Sequence, residues 1–126
     1  MDDMIVCQDF PVVSEKKYLN VGHIHPLMQR PCAVIADAFS KLQNIRIGIF
    51  GSSVTWRCSQ FSDLDIVVRI DHGCEKNFAE VRTQIGLMMG SLDISTDVVD
   101  FKSLDKEERL YEEIVSVAVT IVDNIL

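Results

Sequence analysis

Ile45-Arg-Ile-Gly-Ile-Phe50 and Leu64-Asp-Ile-Val-Val-Arg-Ile70 are apolar runs of strand length, and Ile94-Ser-Thr-Asp-Val-Val-Asp-Phe101 is a third strand-like run. Around them the period changes from two to that of a helix. Val34, Ile35, Ala38, Phe39 and Leu42 fall on one side of a predicted helix, with Pro31 suited to its first turn. After Asp71-His-Gly73, the residues Phe78, Val81, Ile85 and Met88 form a second helical stripe that Gly90 ends. Leu110, Ile114, Val117, Ala118, Ile121 and Ile125 form a third, widened by Tyr111 and Val115, with Asp105-Lys-Glu-Glu108 as its N-terminal cap. The pattern predicts an α/β (α+β) fold, a three-stranded core sheet flanked by helices.

Residues 1–30 hold short apolar pieces, Met4-Ile-Val-Cys7 and Tyr18-Leu-Asn-Val-Gly-His-Ile24, with turn residues between them. They are expected to form an N-terminal extension without an assignable role, ahead of a single domain at 31–126. A chain of 126 residues that is 48% hydrophobic has material for one core and no second domain.

The candidate chemistry sits between the first two strands. Gly51 and two serines close the Ile45 run, and a Gly-Ser turn at a strand end lets backbone N–H groups approach a phosphate, with a hydroxyl as one more donor. Ten residues later comes Asp63-Leu64-Asp65. Residues two apart in a strand share a face, so Asp63 and Asp65 project together while Leu64 and Ile66 enter the core. Two carboxylates on one face repel unless a cation lies between them. Hard oxygen ligands at that spacing suit Mg²⁺ bridging substrate phosphates. The plainer alternative is that one aspartate only caps the Ser62 turn.

Phe50-Gly-Ser-Ser-Val-Thr followed by Ser62-Asp-Leu-Asp-Ile-Val-Val68 resembles the polymerase-beta-like nucleotidyltransferase superfamily, most closely its minimal nucleotidyltransferases. The resemblance runs from about Val34 to the C-terminus. It departs at Thr55-Trp56, where many minimal members carry Arg-Gly.

The resemblance implies a third carboxylate on a neighbouring strand, and Asp97, immediately before an apolar pair, is the choice over Asp93 and Asp100. A solvated edge position is the alternative. It further implies that Asp63, Asp65 and Asp97 hold two Mg²⁺ ions. Gly51, Ser52 and Ser62 would bind the triphosphate of ATP, and Asp97 would orient or deprotonate an incoming hydroxyl.

A formal net charge of −7 argues against a protein that grips a nucleic-acid backbone, since its twelve Lys and Arg form no stripe or cluster. Lys76 and Arg82 are candidates for triphosphate contacts or solvated helix-face charge. Cys7, Cys32, Cys58 and Cys74 form no Cys-x-x-Cys pair. With the acidic opening Met1-Asp-Asp-Met, unlike a signal peptide, they are expected to be reduced thiols of a cytoplasmic protein. His23 and His25 would share a strand face if extended, as a metal pair or as surface decoration. The apolar run Ile114 to Val122 is far too short to span a bilayer.

Three functions follow. The resemblance implies the antitoxin of a two-gene pair, an enzyme that binds an all-helical HEPN ribonuclease and transfers AMP from ATP to its tyrosine. A nucleotidyltransferase acting on a small molecule or an RNA end is the second. A non-catalytic binding module of the same fold, which blocks its partner by docking, is the third. With no acceptor-holding half, the domain is expected to use a partner protein or a homodimer.

Overall fold

A computed structural model describes residues 9–125. Its regular elements are α1 (Pro26–Ala38), β1 (Ile45–Phe50), β2 (Leu64–Ile70), α2 (Phe78–Gly90), β3 (Thr96–Asp100), α3 (Arg109–Val117) and β4 (Val119–Asp123). The strands form one four-stranded sheet in the order β3-β2-β1-β4. β1 is antiparallel to β2 and β4, whereas β2 and β3 are parallel and joined by the crossover through α2. This is the expected α+β architecture, a small mixed sheet flanked by helices.

Strand alternation divides the sheet into two faces. Ile45, Ile47 and Ile49 of β1 and Leu64, Ile66 and Val68 of β2 are all fully buried. They share the main core with Met28 and Ile35 of α1, Phe39 at its C-terminal end, and Val81, Ile85 and Met89 of α2. On the other face, Phe50, Val67 and Ile114 make a smaller cluster under α3. That second face carries Asp65, the one polar position between Leu64 and Ile66.

Several expectations are corrected. Helix α1 begins at Pro26, not Pro31, which lies inside it. Pro26 takes the first helical position, and His25 caps the helix through Nδ1, which accepts from the Leu27 N–H at 3.1 Å. The second helix keeps its bounds, with Met89 rather than Met88 fully buried. Asn77 and Glu80 give it a reciprocal capping box.

The third stripe is a helix only as far as Val117, and Ala118 turns out of it at φ −62°, ψ 136°. Ile121 belongs to β4, which pairs with the free side of β1 and makes the sheet four-stranded rather than three. The run Val119-Thr-Ile-Val-Asp123 is β-branched at four positions of five, so local preference and an open strand edge prevail over helical spacing. Asp105 and Glu108 form a turn before α3, where Glu108 Oε1 accepts from the Asp105 N–H. Neither side chain caps the helix itself.

From residue 9 to α1 the chain is packed onto the domain. Phe10 and Ile24 are buried. The fully buried Gln29 amide binds four backbone groups: Oε1 accepts from Val13 and Ser14 N–H, and Nε2 donates to the Pro11 and Ile24 carbonyls. Cys7, the Met4-Ile-Val-Cys7 piece and the acidic opening lie outside the described residues. Cys32, Cys58 and Cys74 are free thiols. No helix among the described residues is long and apolar enough to cross a membrane.

Candidate functional site

Strand β1 ends in a single 3-10 turn, Gly51–Val54. Gly51 sits at φ +74°, where a side chain would be strained, and a Cβ there would run into the Asp65 carboxylate, 3.1 Å from its Cγ. The turn therefore closes directly over Asp65. Phe50, one residue earlier, is the register partner of Asp65 across the β1–β2 pair.

The parallel β2–β3 pair brings in the second carboxylate, because its register sets Asp65 opposite Asp97. Both thus occupy the face under α3. Asp63 precedes β2 and is exposed, as is Asp97, while Asp65 is half-buried. Burial first, then the charges of Asp97, Asp63 and Glu113 of α3, push the Asp65 carboxyl up to about 6. Asp63 and Asp97 are thus both close enough to act on Asp65, and a fourth carboxylate, Glu113, joins them. Among the described residues no three His, Cys, Asp or Glu side chains stand close enough to hold a metal ion as placed. The donor set, carboxylate oxygens alone, is of the kind that hard divalent cations take.

The expected phosphate-binding residues divide. Ser52 is half-buried and, with Gly51, lines a cavity of about 560 Å³ between the turn and α3. Ser53 is fully buried, its carbonyl accepting from the His25 N–H at 2.8 Å, and its hydroxyl has no hydrogen-bond partner. It still lies near enough to Cys58 to offset part of the upward shift that burial imposes on that thiol. The Ser62 hydroxyl accepts from the Ser59 N–H at 2.9 Å, shaping the turn that delivers Asp63.

Thr55, at the departure from the family pattern, ties the loop to itself. Its hydroxyl donates to the Ser52 carbonyl at 3.0 Å and accepts from the Arg57 N–H at 3.1 Å. Trp56 leans the other way, its ring 4.6 Å from that of Phe10 and edge-on to His25. His25 is thus a helix cap inside an aromatic cluster, where burial lowers its pKa. His23 lies in a 3-10 turn, so the two do not share a strand face.

Lys76 and Arg82 do not reach the cavity. Lys76 Nζ bonds Gln84 at 2.8 Å, and Arg82 stacks over the Phe78 ring. The basic residues that do line it are Arg57 and Arg109. Nothing in the local sequence marks them, since Arg57 lies outside the motif and Arg109 meets it only through the packing of α3.

No family model and no curated protein matches this chain. Solved structures do. One is a candidate minimal nucleotidyltransferase, with a TM-score of 0.57 at 21% identity over 74% of this chain and 91% of that one. Another is a toxin–antitoxin crystallised with AMP-PNP, with a TM-score of 0.51 at 24% identity over 72% of this chain and 69% of that one. A tri-AMPylated HEPN toxin of Shewanella oneidensis in complex with an MNT antitoxin overlays more loosely, with a TM-score of 0.47 at 23% identity over 74% and 70%. The likeness is one of fold, and the chain has the minimal-nucleotidyltransferase fold.

Proposed function

We propose that this protein is a nucleotidyltransferase that moves AMP from ATP to a hydroxyl of a protein partner, a tyrosine of a HEPN-type toxin, as the antitoxin of the pair. The observation that carries the reading is the register of β2 and β3, which sets Asp97 beside Asp65 directly under the Gly51 turn. Support comes from the shared fold and from the AMP-PNP bound by one of its neighbours.

Asp63, Asp65 and Asp97 would hold the divalent cation, with small changes of side-chain rotamer at the exposed Asp63 and Asp97. Bound Mg²⁺ would offset the carboxylate charges and polarise the α-phosphate. Gly51 and Ser52 would donate hydrogen bonds to the phosphates from the strand-end turn. Asp97, at the open edge of the sheet, would orient the acceptor hydroxyl and take its proton. The acceptor oxygen bonds to the α-phosphorus, the bond to the α,β-bridging oxygen breaks, and pyrophosphate leaves in line. No nucleophile from this chain is consumed.

Co-expression with the neighbouring gene product, purification through a tag on one partner, and intact mass with ATP and Mg²⁺ test the reading. Added AMP on the partner is the expected result, lost with Asp65→Asn. Stable co-purification with no added mass would overturn it in favour of a docking module.

A further inference from the structure

We infer that Arg57, from the loop after β1, and Arg109, from the first turn of α3, grip the polyphosphate tail of the nucleotide. The cavity between turn and helix is then the seat of that tail. The inference rests on the nucleotidyltransferase reading and adds to it two residues that lie outside the motif.

The first observation is one of pairing. Among the described residues four of the twelve Lys and Arg are held in ion pairs: Lys16 with Asp37, Arg46 with Asp123, and Arg69 and Lys102 with Asp71. Arg57 and Arg109 make no ion pair or side-chain hydrogen bond among the described residues, yet both line one cavity with Gly51 and Ser52. Two guanidinium-bearing residues lining one cavity suit a ligand of several negative charges, which each can bind through two parallel N–H donors.

The second observation is how the loop is held. The Thr55 hydroxyl accepts from the Arg57 N–H while donating to the Ser52 carbonyl, so Arg57 leaves the backbone from a point fixed to the phosphate-binding turn. Arg109 approaches from the opposite wall. The volume of about 560 Å³ is that of a small-molecule site. Glu112, Glu113 and Ser116 complete the helix wall. Their two carboxylates repel any anion there, so the two arginines are the charged groups of this cavity that can hold one. Beyond Gly51 lies Asp65, which places the α-phosphate end toward the carboxylates and the β and γ end toward the arginines.

The test is calorimetric titration of ATP with Mg²⁺, AMP with Mg²⁺ and inorganic tripolyphosphate into the whole protein and into Arg57→Ala, Arg109→Ala and the matching Lys variants. Both residues are exposed, and unchanged melting temperatures would confirm folded variants. Each Ala variant is expected to lose about tenfold in ATP affinity, with partial recovery in Lys and no change for AMP, which lacks the tail. Equal loss for ATP and AMP, or no loss for ATP, would overturn the grip while leaving the nucleotidyltransferase reading intact. If the parent protein does not bind ATP, that reading fails. The grip then stands only if tripolyphosphate binds and the Ala variants release it, and is overturned otherwise.

Discussion

Asp65→Asn should make this protein more stable and inactive at once. In the absence of metal, the Asp65 carboxyl titrates at about 6 because burial and three neighbouring carboxylates penalise its charge. The folded state therefore holds a proton that the unfolded chain, with its carboxyl near 3.9, has already released. Stability falls as pH rises from about 4 to about 6, and above that the whole penalty is present. A shift of roughly two units corresponds to about 3 kcal/mol. Asp65 is only half-buried, so solvent screening reduces this to about 1 to 1.5 kcal/mol. Removing the charge with an isosteric amide should recover that amount, on the order of 3–6 °C in melting temperature for a domain of this size. The assay is thermal unfolding of both proteins from pH 4.5 to pH 8 in EDTA, then with Mg²⁺. The gain should be full at pH 8 and clearly smaller at pH 4.5, and Mg²⁺ should stabilise the parent but not the variant. A variant less stable than the parent at pH 8, or a gain independent of pH, would refute the electrostatic account.

Gly51→Ala should destabilise by about 1–2 kcal/mol for the left-handed backbone alone and abolish transfer by displacing Asp65, read by melting temperature and AMP incorporation together. Ser52→Ala should weaken ATP binding by about 1–2 kcal/mol, one hydrogen bond to a charged group, whereas Ser53→Ala should leave it unchanged, since its hydroxyl is buried away from the cavity; titration of both variants decides. Transfer should rise with pH through about 6 as Asp65 ionises, and the midpoint should move lower as Mg²⁺ increases, because a cation favours the charged carboxylate; a pH–rate profile at two Mg²⁺ concentrations checks it.

The elements that position the site were legible because their signals are local. Leu64, Ile66 and Val68 alternate with Asp65 and Val67, and this alone assigns Asp65 to the face away from the main core. Asp97 was reachable only through the family pattern, and its place beside Asp65 depends on the α2 crossover, which no local pattern encodes. The C-terminal run misled for a stated reason. Ile114, Val117, Ala118 and Ile121 keep helical spacing, but the pairing of β4 with β1 is a tertiary event that only the open edge of the sheet can decide. Pro31 likewise fits a first turn as well as Pro26 does, and the cap at His25 distinguishes them only once Leu27 is in place. Arg57 and Arg109 stand 52 positions apart along the chain and share a cavity only in three dimensions.

The buried Gln29 amide has a consequence for how this protein comes apart. One side chain satisfies backbone groups of Pro11, Val13, Ser14 and Ile24 together, so these anchors break or hold as a set. Opening the strap they form would strand the amide's donors and acceptors inside the core, a cost no single peptide group along it would bear alone. Amide hydrogen exchange across residues 11–24 should accordingly be concerted rather than graded, and a protease should find the strap either wholly protected or wholly cut. Because His25, at the end of that strap, also binds the Ser53 carbonyl, release would loosen the loop that carries Ser52 and Arg57. Loss of the strap would then reach the cavity between the Gly51 turn and α3 without any change in the cavity's own residues.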